Sequence, residues 1–178
     1  MLIDPPNPSL QAPPSSHATF SLQTPMFERR TTDRPTTIHK TLGRWALQLT
    51  RDPFKNTVRC RLSSHRVTVE NAAVILQAPT RTNTFDAYYR LDAAAAVSWR
   101  VNAMELVAHG VAIEQESLSN PSGGRVAIPL RLAGSAQSIT IRPSDRGRSF
   151  VFSLRWLDNA ISQAKAMGCG SDFAPGEA

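Results

Sequence analysis

Cys60 and Cys169 are the only two thiols in this 178-residue chain, and their surroundings indicate which chemistry they serve. Cys60 lies on the apolar side of the alternating run Val58-Arg59-Cys60-Arg61-Leu62, whereas Cys169 follows the helix-like stretch Ser162–Gly168. A redox pair normally stands close together as Cys-x-x-Cys, with a helix N-terminus lowering one thiol pKa. Here the spacing is long, and one cysteine follows a helix C-terminus, whose dipole disfavours a thiolate. The residues therefore predict a structural disulfide joining a core strand to the end of the chain. Closing a loop of more than a hundred residues, such a bridge is worth about 4–5 kcal/mol in the chain-entropy model. Disulfides persist in oxidising compartments, so a periplasmic or extracellular setting is expected. The first residues, Met1-Leu2-Ile3-Asp4, carry no signal-peptide pattern, which fits a mature form. A cytosolic protein with two free thiols is the alternative that sequence leaves open.

Other chemistries find little purchase. His17, His39, His65 and His109 stand apart, none with a partner at metal-ligand spacing. Gly123-Gly124 and Gly134-Ser135 lack the flanking pattern and lysine of a phosphate loop, and no serine sits in a nucleophile elbow. Asp86 with Asp92, and Glu114 with Glu116, share strand faces beside arginines, which reads as solvated surface rather than an acid/base pair. No catalytic set, cofactor or metal is expected.

The formal net charge is +6, built from seventeen arginines and only three lysines. Nucleic-acid binding leaves a basic stripe as its footprint. These arginines are scattered among acids, and even the group Arg29, Arg30 and Arg34 holds Glu28 and Asp33. A nucleic-acid partner is not expected, and no apolar run is long enough to span a membrane.

Residues 1–43 hold seven of the thirteen prolines and many Ser and Thr. Such a segment buries too little apolar surface to fold alone. Phe20, Leu22, Met26 and Phe27 are nevertheless spaced along it, followed by Arg29 and Arg30, as in an extended arm that grips a partner; composition alone fits a disordered tail equally well. From Arg44 the pattern alternates with period two: Trp45, Leu47 and Leu49; Val58, Cys60 and Leu62; Val67 and Val69; Ala73 to Gln77; Phe85, Ala87, Tyr89 and Leu91; Val126, Ile128, Leu130 and Leu132; Ile139 and Ile141; Phe150 and Phe152. Pro129 marks an edge strand or a bulge. Leu157, Ala160, Ile161, Ala164 and Met167 then recur at helical spacing until Gly168. The stretch Asn102–Ile113 suits either a helix, with Asn102 and Glu105 as a capping box, or a strand.

The expected fold is mainly β: an antiparallel β-sandwich or partly open barrel of about eight strands with a C-terminal α-helix, preceded by the extended Pro-rich arm. Residues 44–170 form the stapled domain and 171–178 a tail. The tryptophans and most other aromatics fill the core. Tyr88 is the exception, placed outward beside Arg90 as a contact point for a protein partner.

A Trp-led first strand, a turn before a strand cysteine, the run Tyr89-Arg90-Leu91-Asp92 and a late strand feeding a helix that ends in Cys169 together resemble small periplasmic proteins of proteobacteria. The named group this resembles is the invasion-associated locus B family, which implies a β-sandwich without an established catalytic site. By analogy of architecture, the chain is also similar to the small third subunits of periplasmic quinohaemoprotein alcohol dehydrogenases. The expectation is a non-catalytic periplasmic accessory subunit docking through its arm on a larger protein, such as a membrane-bound oxidoreductase. The alternative is a free-standing secreted or periplasmic binding factor.

Overall fold

The computed structural model describes residues 34–79, 82–111, 123–143 and 147–174. Five strands follow one another in antiparallel order: β1 (Thr36–Leu42), β2 (Trp45–Asp52), β3 (Thr57–Ser64), β4 (Val67–Glu70) and β5 (Ala73–Gln77). β6 (Tyr88–Leu91), β7 (Val97–Ser98), the helix α1 (Ala103–Ala108), β8 (Arg125–Pro129), the helical turn α2 (Leu130–Ala133), β9 (Ser138–Arg142), β10 (Phe150–Ser153) and α3 (Leu157–Ala166) complete the order. β8 joins the first five to make a six-stranded sheet, β1-β2-β3-β4-β5-β8. The remaining four make a second sheet, β10-β9-β6-β7. Two separate antiparallel sheets, not a closed barrel, form this mainly β fold.

Register follows from the period-two pattern, because slipping by one residue would turn every apolar side chain outward. Leu47, Leu62, Val69, Val74 and Ile128 form one continuous row across the six-stranded sheet. All are buried in the main core together with Tyr89, Ile139, Ile141 and Phe152 from the second sheet. α3 lies against β2 and β3 and adds Leu157, Ala160 and Ala164 to the same core. The opposite face of the large sheet is covered at its β5–β8 end, where Leu106 of α1 and Val111 pack on Ala73 and Ala127.

Several details depart from the sequence reading. The sheet begins at Thr36, inside the stretch assigned to the arm, because Thr36–Leu42 pairs along its whole length with β2. Leu130 and Leu132 continue a strand pattern, yet the chain turns helical directly after Pro129, and the Leu130 N–H makes the last bond on this side, to the Ala72 carbonyl at 2.7 Å. Phe85 and Ala87 keep the alternation in burial but precede the strand. Asn102–Ile113 resolves into α1 over Ala103–Ala108, without the capping box: the Asn102 amide donates to the Tyr89 hydroxyl (2.8 Å), and Glu105 turns to Arg131. Trp156 is 68 % exposed rather than part of the core. The supposed tail is anchored, since Ser171–Phe173 forms a 3-10 turn that buries Phe173.

Candidate functional site

Cys60 and Cys169 are joined by a disulfide, with their Cα atoms 5.7 Å apart and a sequence separation of 109. β3 presents Cys60 to the core face, in register with Leu49. Gly168, at φ +97°, stops α3 in a conformation that disfavours a Cβ, and the next residue meets the strand. Both sulfurs are buried, which makes the bridge structural. Three residues later the Asp172 carboxylate accepts the Cys60 backbone N–H at 2.6 Å, and the Asp172 carbonyl accepts Ala72 N–H at 2.8 Å. Burial pushes the Asp172 carboxyl up, only partly offset by that N–H and by Arg59.

The perturbed carboxylates all have structural partners. Asp92 sits at φ +46° and accepts Gln137 N–H and both the N–H and hydroxyl of Ser138, so it pins the start of β9; these bonds hold its pKa below the ordinary range. Glu105 makes a two-pronged pair with Arg131, at 2.7 Å and 2.5 Å, and the guanidinium keeps its carboxyl low. Asp86 lies 3.8 Å from Arg100, which in turn stacks 3.6 Å from the Phe85 ring centroid. Asp86 and Asp92 thus serve separate contacts rather than one site. His39 is on β1, His65 in the β3–β4 turn and His109 at the end of α1. No metal-holding cluster is found among the described residues. Glu114, Glu116 and His17 lie outside them.

Two tryptophans are likewise committed. The Trp99 indole donates to the Thr84 and Phe85 carbonyls at 2.9 Å and 3.1 Å, and the Trp45 indole to the Arg155 carbonyl at 3.1 Å. One exposed surface is the outer face of the four-stranded sheet. Tyr88 and Arg90 alternate outward from β6, and the ladder sets Tyr88 beside Arg142 and Arg90 beside Thr140, with Val151 on the far side of Thr140. Tyr88 is 38 % exposed and Val151 71 %, and no described helix covers this face. Tyr88 and Arg90 are therefore brought together as the sequence placed them. Phe20, Leu22, Met26, Phe27, Arg29 and Arg30 lie outside the described residues.

No family model, characterised protein or solved structure matches this chain at a significant level.

Sequence reasoning missed one constellation. Arg44, His65 and Arg66 come from two different turns and line a single cleft of about 440 Å³ beside β10. Ser64-His65-Arg66-Val67 lacks the Asn-Gly signal of a two-residue hairpin, yet Ser64 pairs with Val67 across it. Only the fold brings Arg44, twenty residues earlier in sequence, to the same place.

Proposed function

We propose that this chain is a non-catalytic interaction subunit that works in the periplasm by docking on a larger protein, with Tyr88 and Arg90 in the contact. The uncovered outer face of the four-stranded sheet carries this reading: an exposed tyrosine with Arg90 on the same face of its strand and exposed Val151 two strands away, on a sheet face that no described element covers. Tyr and Arg are the residue types that most often dominate binding energy at protein interfaces. The buried Cys60–Cys169 bridge supports an oxidising compartment. The resemblance of residues 45–169 to invasion-associated locus B proteins points the same way. The part of the N-terminal arm that precedes β1 supplies a second contact through Phe20, Leu22, Met26 and Phe27, flanked by Arg29 and Arg30.

The test is capture of one stoichiometric partner from the native envelope by the full chain, compared with the Tyr88→Ala/Arg90→Ala double variant. Affinity should fall by 30-fold or more, about 2 kcal/mol, with an unchanged thermal transition. Equal capture by both proteins removes this face from the contact.

A further inference from the structure

Each sheet edge carries a device that discourages a foreign strand, except one. β1 bears His39 and Lys40, β8 ends in Pro129 and passes straight into α2, and β7 is two residues long. Charge, proline and shortness are the ways natural sheets blunt their edges. β10 has neither charge nor proline and is twice the length of β7: it reads Phe150-Val151-Phe152-Ser153, largely apolar and strand-forming, and among the described residues it pairs with β9 alone.

The ladder shows which backbone groups this edge presents. Leu154 N–H donates to the Gln137 carbonyl at 2.8 Å, in the same register as the β9–β10 pairs. Antiparallel pairs alternate between bonded and non-bonded. Phe150 and Phe152 therefore bond to β9, while the N–H and C=O groups of Val151 and Ser153 point away from it.

The cleft of about 440 Å³ runs along this edge. Ser149–Ser153 forms one wall, and Arg44, Pro79 and the Ser64–Val67 turn form the other. Its charged or titratable residues are Arg44, His65 and Arg66, with no carboxylate among the lining. Arg44 is held against the edge strand by a 3.0 Å hydrogen bond to the Ser153 hydroxyl. His65 occupies a positive-φ position, +50°, in the tight turn that puts Arg66 on the cleft wall. Strain of this kind persists only where surrounding structure holds it, and it concentrates at binding sites.

We propose that the β10 edge takes up an extended acidic segment of a partner protein as a fifth strand of this sheet. The segment's main chain would bond to Val151 and Ser153, and its carboxylates would meet Arg44 and Arg66. Main-chain pairing provides affinity in such strand addition, and the flanking charges select the partner and its register. The inference rests on the chain being an interaction subunit, but it uses the sheet's edge rather than the Tyr88–Arg90 face.

The full chain, isotope-labelled for NMR, is titrated with the blocked peptide acetyl-Glu-Val-Glu-Val-Glu-Val-amide. Saturable shifts and slowed amide exchange at Val151 and Ser153 are expected. Binding should weaken at least tenfold in Arg44→Ala/Arg66→Ala and with the lysine-for-glutamate peptide. Val151→Pro should abolish it while sparing the fold, because that N–H is not used by β9. A peptide N-methylated at alternate residues tests the same bonds without altering the protein. No response at Val151 and Ser153, or undiminished binding of the N-methylated peptide, overturns the proposal. So does protection of these amides before any peptide is added: concentration-independent protection means the chain's own residues 1–33 fill the edge, and concentration-dependent protection means a second copy does. Tyr88→Ala/Arg90→Ala should leave this titration unchanged, so failure of either surface is seen separately.

Discussion

Asp172 accepts the backbone N–H of Cys60 at 2.6 Å, three residues after Cys169 bonds covalently to the same residue's sulfur. One strand position is therefore held twice by the C-terminal segment, once through its side chain and once through its main chain. β4 pairs with β3 only from Leu62 onward, so at Cys60 this side of β3 lacks a strand partner and the carboxylate takes the place of a ladder acceptor. The Asp172 carbonyl ties down Ala72 in the β4–β5 turn as well.

Asp172→Ala should lower stability by about 1.5–3 kcal/mol even with the disulfide intact, the usual loss when a hydrogen bond to a charged group is removed. Urea unfolding midpoints of the two proteins check this; equal midpoints would mean that the bridge alone secures the segment.

Acidification separates the carboxylates by sign. Asp172 has its folded pKa raised by burial, so the folded chain binds the extra proton first and this group's contribution grows as pH falls. Asp92, held low by Gln137 and Ser138, and Glu105, held low by Arg131, contribute stability above the ordinary carboxylate pKa that is lost as pH falls through their folded values. Unfolding curves between neutral and strongly acidic pH should thus show Asp92→Asn and Glu105→Gln flattening the acid loss, and Asp172→Asn steepening it.

Reduction, or Cys60→Ala/Cys169→Ala, should cost several kcal/mol. With a sequence separation of 109 between the cysteines, the loop-closure term alone is about 4–5 kcal/mol. Denaturant midpoints with and without reductant measure it. A change below about 1 kcal/mol would show that α3 and the 3-10 turn stay docked on β3 without the bridge.

Gly123→Ala should be among the most damaging single-methyl changes. A Cβ there would overlap the Pro79 carbonyl oxygen and lie 2.6 Å from that of Ala78, and the residue sits at φ +77°. Both obstacles are backbone, fixed by the Ala78-to-Gly124 and Gly124-to-Thr82 hydrogen bonds of 2.9 Å and 2.7 Å. A loss of about 3 kcal/mol is expected from overpacking and the unfavourable φ together; a thermal transition within a degree or two of the parent would refute it.

Trp156→Gly should be neutral or stabilising, by up to about 1 kcal/mol, since a side chain at φ +67° is disfavoured and this one is largely exposed. A clear loss in a urea titration would mean that the indole packs on its neighbours more than its exposure indicates.

The alternation of apolar residues was enough to place most of the strands, the core rows and the outward pair Tyr88 and Arg90, because side-chain direction in a strand is a local property of the backbone. Cys60 in a strand and Cys169 after a helix likewise declared their roles locally. The sequence was silent wherever distant segments decide the outcome. Thr36–Leu42 looked like part of a Pro-rich arm until β2 offered it a partner, and Asn102 looked like a helix cap until Tyr89 drew its amide away. Asp172 looked like tail until the unpaired edge of β3 claimed its carboxylate. Arg44 and Arg66 became neighbours only when β2 paired with β3, and they line a cleft only because β10 of the second sheet lies beside them. Periodicity records which face a residue takes, whereas a hydrogen-bond partner or a cleft depends on which two faces come together, and that is decided in three dimensions.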